Sequence, residues 1–443
     1  MLKAGFISLG CAKNLVDTEI MLGLLATNHI TITDNPAEAD ILIINTCSFI
    51  DTAKEESIET ILQMASYKKQ GKCKCLIVAG CLGQRYQQDL LDELPEVDAI
   101  LGTGAWHRIV EAINTTMIDK KRVLFIDATN TMYDETMPRM STTPFYSAYV
   151  KIAEGCSNCC SYCIIPKVRG SFRSRTIESI IAEVKNLVAS GVKEINLIAQ
   201  DTTSYGRDLY GTPKLTTLLQ ELVKIDDLMW IRLLYCYPKY FSDDLIELIA
   251  TEPKICNYID LPLQHSHDEI LKAMFRQDNQ HDIETLLSKL RAKIPNLTVR
   301  TSFIVGFPGE TEAHFESLRQ FVIVQRFDRV GVFTYSQEED TVASTLPNQI
   351  SDEVKQERYH NLMSLQCEIS ESLNQDLEGT VLDILVEQVS TVPEIVISGR
   401  SYREAPDVDG QIYIENATDC KPGDVIKAKV VQGFTYDVVA EKL

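Results

Sequence analysis

The stretch Cys156-Ser157-Asn158-Cys159-Cys160-Ser161-Tyr162-Cys163 decides more about the fold and the chemistry of this chain than any other part of it. Cys156, Cys160 and Cys163 have the spacing C-x3-C-x2-C, which allows three thiolates to ligate three irons of a four-iron, four-sulfur cluster. The fourth iron then has no nearby protein ligand and stays open to a small cofactor. The stretch therefore predicts a catalytic iron-sulfur site.

Two other interpretations of the same stretch exist. Cys156, Cys159 and Cys163 form the reverse pattern C-x2-C-x3-C, although the aromatic Tyr162 directly before the last cysteine favours Cys160 over Cys159. A structural zinc loop would normally need a further Cys or His close by, and none lies near this stretch. We therefore prefer the cluster with Cys156, Cys160 and Cys163 as ligands.

Length and composition set the class of protein. The 443 residues predict about three domains, and 45% hydrophobic with 24% charged residues is ordinary for a soluble globular protein. No apolar run approaches the roughly 18 residues of a membrane span, and the N-terminus lacks the apolar core of a signal peptide. We expect a cytosolic protein without membrane contact. Its thirteen cysteines favour metal or redox chemistry over disulfides.

Residues 1–130 alternate strand and helix patterns, which predicts an α/β domain with an open, mostly parallel sheet. Strands are expected at 4–9, 41–44 and 76–79, with a helix at about 14–25. Cys11, Cys47 and Cys81 each follow the carboxyl end of one of these strands, at the edge where open α/β sheets bind ligands. A second cluster at this edge is the prediction; simple burial of three small apolar side chains is the alternative.

Two further domains follow a linker expected at 131–144. Residues 145–375 predict a partial, open (βα)6 barrel with a trailing helix, and the Cys156 loop follows its first strand, at the face that carries the chemistry of such barrels. Residues 376–443 predict a small antiparallel β-barrel with strands at 381–386, 395–399, 411–414 and 425–431. The six barrel strands are expected at 149–153, 194–199, 231–236, 258–263, 299–305 and 330–335.

The cysteine triplet of the first segment, the C-x3-C-x2-C motif of the second and the terminal β-barrel together resemble the methylthiotransferase family of radical S-adenosylmethionine enzymes, over essentially the whole chain. The resemblance implies S-adenosylmethionine and two 4Fe-4S clusters as cofactors and a reductase as electron donor. It also implies a terminal TRAM domain that recruits substrate, and no catalytic side chain beyond the cluster ligands. The radical site then corresponds to Cys156, Cys160 and Cys163, and the auxiliary, sulfur-delivering cluster to Cys11, Cys47 and Cys81. One departure is Cys159, where the family often has Arg.

Several motifs are similar to the branch of this family that methylthiolates an aspartate β-carbon of small-subunit ribosomal protein twelve: residues 8–19, 197–202, 205–206, 208–211 and 399–410. Charge agrees, because residues 376–443 carry six Lys and Arg against thirteen Asp and Glu, a net charge of −7. An acidic barrel suits a basic ribosomal protein, whereas a tRNA-binding barrel should be basic. The alternatives are a tRNA adenosine methylthiotransferase and a non-catalytic iron-sulfur electron carrier.

Other residues are expected to face the cofactor edge of the barrel. Gln200 and Arg232 fall at strand ends, and Gly306 would let the adenine or ribose of S-adenosylmethionine approach the backbone, unless it only serves a tight turn. His265 is more typical of a structural side chain. Four basic residues after the radical motif would either bind a carboxylate or join two domains: Lys167, Arg169, Arg173 and Arg175.

Overall fold

The computed structural model of the chain describes residues 2–390, 396–417 and 419–443. Met1 and Ile395, the first residue of one expected C-terminal strand, lie outside the described residues. Within the described part of the chain, no helix is both long enough and apolar enough to cross a membrane.

The N-terminal segment is a six-stranded parallel sheet with the strand order β2-β1-β3-β4-β5-β6, which confirms the expected open parallel α/β sheet. The long central strands are continuous apolar runs and are buried on both faces, whereas three of the six strands have only three residues and leave no periodic signal. The elements are β1 Lys3–Ser8, α1 Ala12–Thr27, β2 Thr31–Thr33, β3 Ile41–Thr46, α2 Asp51–Ala65, α3 Tyr67–Gln70, β4 Cys75–Gly80, α4 Cys81–Glu93, β5 Ala99–Leu101, α5 Ile109–Met117 and β6 Val123–Phe125.

The central segment holds a second parallel sheet of six strands, in the order β14-β13-β12-β11-β10-β7, which confirms the open barrel. A small hairpin-like pair, β8 with β9, lies beside the radical motif. The elements are β7 Ser147–Lys151, β8 Ala153–Glu154, α6 Ile165–Arg169, β9 Arg173–Ser174, α7 Ile177–Ala189, β10 Glu194–Ile198, α8 Arg207–Tyr210, α9 Leu215–Leu222, β11 Trp230–Leu233, α10 Asp243–Thr251, β12 Ile255–Asp260, α11 Asp268–Ala273, α12 Gln280–Lys293, β13 Thr298–Val305, α13 Glu312–Gln325, β14 Arg329–Thr334 and α14 Asp352–Gln375.

The C-terminal segment is a closed five-stranded barrel in the order β15-β16-β17-β19-β18. Four of its strand pairs are antiparallel, but β17 and β19 pair in parallel, and β19 is a strand that the sequence patterns do not predict. The strands are β15 Val381–Ser390, β16 Val396–Arg400, β17 Ile412–Glu415, β18 Val425–Gly433 and β19 Val438–Lys442.

The two faces of the central sheet differ in what covers them. Apolar residues such as Ile195, Leu197 and Ile231 pack against the helices on the outer face. The alternating residues on the inner face are mostly polar or aromatic, and they pack against α1 of the N-terminal segment and against the C-terminal segment. The central sheet therefore buries its inner face only with the help of both neighbouring segments.

The linker at 131–144 contains no helix or strand, yet its side chains connect the N-terminal segment to the central segment. Arg139 forms ion pairs with Glu19 of α1 and Glu183 of α7, and it also donates to the Tyr149 carbonyl of β7. Gly23 of α1 lies so close to this segment that an added Cβ would come within 2.3 Å of the Pro138 carbonyl oxygen. These contacts fix the N-terminal segment against the central sheet.

Candidate functional site

Cys11, Cys47 and Cys81 lie together at one edge of the N-terminal sheet. They follow β1, β3 and β4, which are adjacent strands, so that the three thiols start from neighbouring positions. Gly10 has φ +84°, and a Cβ added there would lie 2.8 Å from the Cys47 Cβ and 3.0 Å from its Sγ. Only glycine fits at this position, because both the backbone angle and the contact exclude a side chain.

Hydrogen bonds hold the loops that carry this triplet. The Asn14 side chain donates to the carbonyls of Leu9 and Thr46, at 2.7 and 3.1 Å, and so ties the loop after β1 to the end of β3. Ser57 of α2 both accepts from the Cys47 N–H and donates to its carbonyl. The backbone around the thiols is therefore fixed before any ligand binds.

The three thiols differ in their electrostatic surroundings. Burial, with a further contribution from Cys81, raises the pKa of Cys47 to about 12. Burial also raises the pKa of Cys81, although the Arg169 guanidinium opposes it. At Cys11, desolvation acts upward as well, but the positive charges of Lys13 and Arg169 outweigh it and lower the pKa of the thiol. Metal binding at this edge must release protons from at least two of the thiols.

The radical motif forms a tight loop between β8 and α6. Cys159 is exposed and has φ +52°, whereas Cys156, Cys160 and Cys163 are half-buried. Burial raises the pKa of Cys156 to about 11, and burial followed by the neighbouring Cys160 thiol raises the pKa of Cys163. Cys159 thus differs from the other three cysteines of the motif in both exposure and backbone conformation.

A buried network of charges connects the two cysteine sites. Arg169, at the end of α6, places Nη1 2.8 Å from Asp17 Oδ2 and 3.2 Å from Glu154 Oε2. Its Nη2 lies 2.8 Å from Asn14 Oδ1 and 3.6 Å from Cys81 Sγ. Lys151 of β7 completes the network with ion pairs to Asp17 and Glu154. Arg169 thus reaches from the loop of the radical motif to a thiol of the N-terminal triplet.

The donor set fits iron-sulfur clusters better than a single metal ion. Each site offers three thiols, and hydrogen bonds hold the backbone loops that carry them. This arrangement suits ligation of a cluster by cysteine. Across the described ranges, no three His, Cys, Asp or Glu side chains are grouped as the ligands of one metal ion. A structural zinc ion normally takes four protein ligands, one more than the three thiols of either site.

Gln200, an expected cofactor contact, lies two residues after the end of β10 and contacts Glu154 beside the radical motif. Its Nε2 donates to Glu154 Oε1 at 2.8 Å, while its own Oε1 is buried without a hydrogen-bond partner in the described structure. Asn158 of the motif donates to Asp201 Oδ2 at 2.8 Å and anchors the cysteine loop to the same strand end. The buried Gln200 oxygen is an acceptor that suits a donor group of a bound cofactor.

The structure gives Arg232 a different role from the expected cofactor contact. Its guanidinium is fully buried, pairs with Glu194 and donates to the carbonyls of Ser401 and Tyr402 in the C-terminal segment. Because these groups engage the guanidinium and Arg232 lies inside β11 instead of at its carboxyl end, the residue joins two segments. The sequence places it near the strand end but gives no sign of the partner, which is 170 residues away.

Gly306 matches the tight-turn interpretation more closely than the cofactor one. It has φ +74°, and an added Cβ would lie 2.3 Å from the Lys355 Cγ of α14, so this helix already covers the glycine. Its N–H donates to Glu310 at 2.8 Å. The Glu310 carboxyl also pairs with Arg358, and burial raises its pKa to about 7. The buried His265 places Nε2 3.8 Å from Glu310 Oε2. Burial is the main cause that lowers the pKa of His265 to about 3, so the imidazole is neutral at pH 7.

The basic residues after the radical motif separate into different roles. Lys167 is exposed and 3.5 Å from Asp340, Arg175 pairs with Glu183 of α7, and Arg173 donates to backbone carbonyls of its own loop. Only Arg169 contacts the N-terminal triplet. Sequence patterns missed Lys151 and Glu154, although a lysine inside an otherwise apolar strand directly before the motif was an available signal.

Comparison with known families matches the three segments in turn. Residues 3–102 match the uncharacterized protein family UPF0004, residues 150–322 the radical SAM superfamily and residues 379–442 the TRAM domain. Among curated proteins, the ribosomal protein uS12 methylthiotransferase RimO of Desulforamulus reducens is 54% identical over 437 residues, covering 99% of this chain and 98% of that protein. RimO of Geobacter sulfurreducens is 52% identical over 439 residues, covering 99% and 98%.

Solved structures share the fold of a large part of the chain. The radical S-adenosylmethionine methyltransferase TsrM from Kitasatospora setae, solved with cobalamin and a [4Fe-4S] cluster bound, superposes with a TM-score of 0.55. The match covers 75% of each chain at 13% sequence identity. At that identity the likeness concerns the fold alone.

Proposed function

The chain belongs to the RimO family of ribosomal protein uS12 methylthiotransferases, and from this membership we propose how its two cysteine triplets divide the reaction. Cys156, Cys160 and Cys163 hold the cluster that acts on S-adenosylmethionine. Cys11, Cys47 and Cys81 hold the auxiliary cluster from which sulfur is transferred. The observation that carries this assignment is the meeting of three cysteines at the ends of adjacent strands β1, β3 and β4.

The protein is a radical S-adenosylmethionine methylthiotransferase that modifies ribosomal protein uS12. A tRNA substrate is not favoured, because the relatives act on uS12 and residues 376–443 carry a net charge of −7. We place the modification at the β-carbon of an aspartate. A reductase in the cytoplasm, where ribosomal proteins are assembled, is the proposed electron donor.

When bound, the clusters and S-adenosylmethionine supply the electron transfer, the radical and the sulfur. The side chains of this protein supply positions and a dry environment. Asn158 and Asp201 hold the radical loop against β10, and Gln200 Oε1 offers a buried acceptor to S-adenosylmethionine. Arg169 and its carboxylate partners hold the two cysteine sites in a fixed relation.

Iron content tests the assignment of the cysteines. The anaerobically reconstituted wild type should bind about eight irons, and the triple Ala variant of Cys156, Cys160 and Cys163 about four. Cys159→Ala is the matched control, because this exposed neighbour of Cys160 should leave the iron content unchanged. Equal iron loss in Cys159→Ala and Cys160→Ala would contradict the proposed ligand set.

The N-terminal triplet has a distinct expected signature. The triple Ala variant of Cys11, Cys47 and Cys81 should also bind about four irons, still cleave S-adenosylmethionine and transfer no methylthio group. Cys73→Ala, which changes a buried cysteine away from the strand edge, should behave as the wild type in all three assays. Methylthio transfer by the triple variant would remove the second cluster from the proposal.

Deuterium tests the chemical step. An uS12 substrate deuterated at the β-carbon of the modified aspartate should pass deuterium into 5'-deoxyadenosine in proportion to the product formed. Label found only in solvent, or product formed without 5'-deoxyadenosine, would rule out hydrogen abstraction by the radical.

A further inference from the structure

Deeply buried cations in this protein almost all face a carboxylate. The described residues include ten buried Lys and Arg residues, and nine of them form an ion pair within the described structure. The tenth is Lys13, which is 6% exposed. A buried ammonium group is unfavourable unless an opposite charge or several acceptors compensate it. Lys13 therefore stands out as the buried cation without an ion pair among the described residues.

The surroundings of Lys13 hold the ammonium group in one place. Lys13 is in the first turn of α1, two residues after Cys11, and its chain extends to the central sheet. Nζ lies 3.2 Å from the centroid of the Tyr235 ring and 3.4 Å from the Ala199 carbonyl oxygen. Ala199 and Tyr235 follow β10 and β11, at the strand edge that also carries Gln200. The ammonium thus bridges the N-terminal triplet and the carboxyl edge of the barrel.

These contacts leave hydrogen-bonding capacity unused. An ammonium group has three N–H donors, and the only oxygen acceptor found for Lys13 in the described ranges is the Ala199 carbonyl, at a long distance. The Tyr235 ring attracts the charge through its π face but accepts no full ion pair. Arg169, by contrast, already contacts Cys81 and balances Asp17 and Glu154. Lys13 is placed to meet an anion that arrives between the two cysteine sites.

We infer that Lys13 binds the side-chain carboxylate of the substrate aspartate and holds its β-carbon between the two cysteine sites. The inference rests on the proposed function, which brings an aspartate to this place. A lysine suits the task because its ammonium is a compact cation that pairs with one carboxylate, while the stem stays packed against Tyr235. The rival role is compensation of the negative charge of the auxiliary cluster, since Lys13 is also near Cys11.

A double-mutant cycle separates these two roles. The cycle uses two forms of recombinant uS12, one with the modified aspartate intact and one with Asn in its place. The affinity of each form is measured for the anaerobic holoenzyme, both wild type and Lys13→Met. The wild type should bind the Asp form about 30-fold more tightly than the Asn form. This factor is at the lower end of the affinity losses seen when one partner of a buried charge pair is removed. Lys13→Met should bind both forms within about 2-fold of each other.

Controls distinguish failure of the inference from failure of the proposed function. Lys74→Met removes a lysine from an exposed ion pair with Asp40 and should keep the preference for the Asp form. The inference is overturned if Lys13→Met keeps this preference for the Asp form. It is also overturned if Lys13→Met and Lys13→Gln both lose the iron or the electron paramagnetic resonance signal of the auxiliary cluster, because Lys13 then serves the cluster. If the wild type does not methylthiolate uS12 at all, the proposed function fails and the inference with it.

Discussion

Removal of the Arg169 guanidinium should unbalance the buried charges between the two cysteine sites. Asp17 and Glu154 are compensated by Lys151 and Arg169, and all four side chains are nearly inaccessible to water. In Arg169→Met, Lys151 faces two carboxylates, so one buried negative charge has no partner. Breaking a buried pair in this way costs about 3–5 kcal/mol. We expect the free energy of unfolding to fall by about that amount.

Urea unfolding of the reduced, iron-free protein, followed by far-ultraviolet circular dichroism, measures this loss. Lys167→Met is the matched control, because its 3.5 Å pair with Asp340 is exposed and should contribute less than about 1 kcal/mol. Asp17→Asn combined with Arg169→Met restores the charge balance, so the double variant should be more stable than Arg169→Met alone. A loss below about 1 kcal/mol in Arg169→Met, or no recovery in the double variant, would refute the charge argument.

Three further predictions follow from single features of the structure. Gly10→Ala should push Cys47 away and lower the iron content from about eight toward about four irons. Gly379→Ala is the control, because Gly379 has a similar φ of +89° but open space around it, and this variant should retain its iron. If both variants retain the same iron content, the steric argument is wrong. Burial raises the pKa of Glu310 to about 7 from 4.5, so the protonated carboxyl stabilises the fold below about pH 4.5, and this stabilisation is lost as the pH rises through about 7. Between about pH 5 and 8, the free energy of unfolding of the wild type should therefore fall by up to about 3 kcal/mol more than that of Glu310→Gln. Urea titrations in which both proteins show the same pH dependence would disprove this prediction. The affinity for uS12 should fall with added salt because residues 376–443 are acidic, and tighter binding of bulk tRNA than of uS12 would overturn the choice of substrate.

Local patterns were sufficient to predict the three architectures and the two cysteine triplets. Strands such as β3 and β4 are continuous apolar runs, and a cysteine directly after such a strand must lie at the carboxyl edge of a parallel sheet. The order of the strands, and therefore the adjacency of the three cysteine loops, became visible only in the structure. The assignment of the cysteines as ligands rests on this adjacency and stays a proposal.

Contacts between segments were not predictable in the same way. Arg232 has its partners at Ser401 and Tyr402, and no local pattern connects positions so far apart in the chain. The motif at 8–19 contains Lys13, but its spacing does not reveal that Nζ reaches the Ala199 carbonyl, which follows a strand of the central sheet. Sequence patterns report which element a residue belongs to, whereas ion pairs across segments depend on how the sheets pack.

The run 399–410 shows how these contacts complete the central sheet. The inner face of that sheet carries Glu194, Arg232 and Tyr258, which would be costly to bury without partners. Arg400 pairs with Glu194, and Asp409 accepts from the Tyr258 hydroxyl at 2.6 Å. These partners lie toward the amino ends and middles of the strands, while Gln200 and the cysteine loop lie at the carboxyl end. The run therefore covers the inner face away from the cysteine edge, and its ion pairs and hydrogen bonds join the C-terminal barrel to the sheet that carries the radical motif.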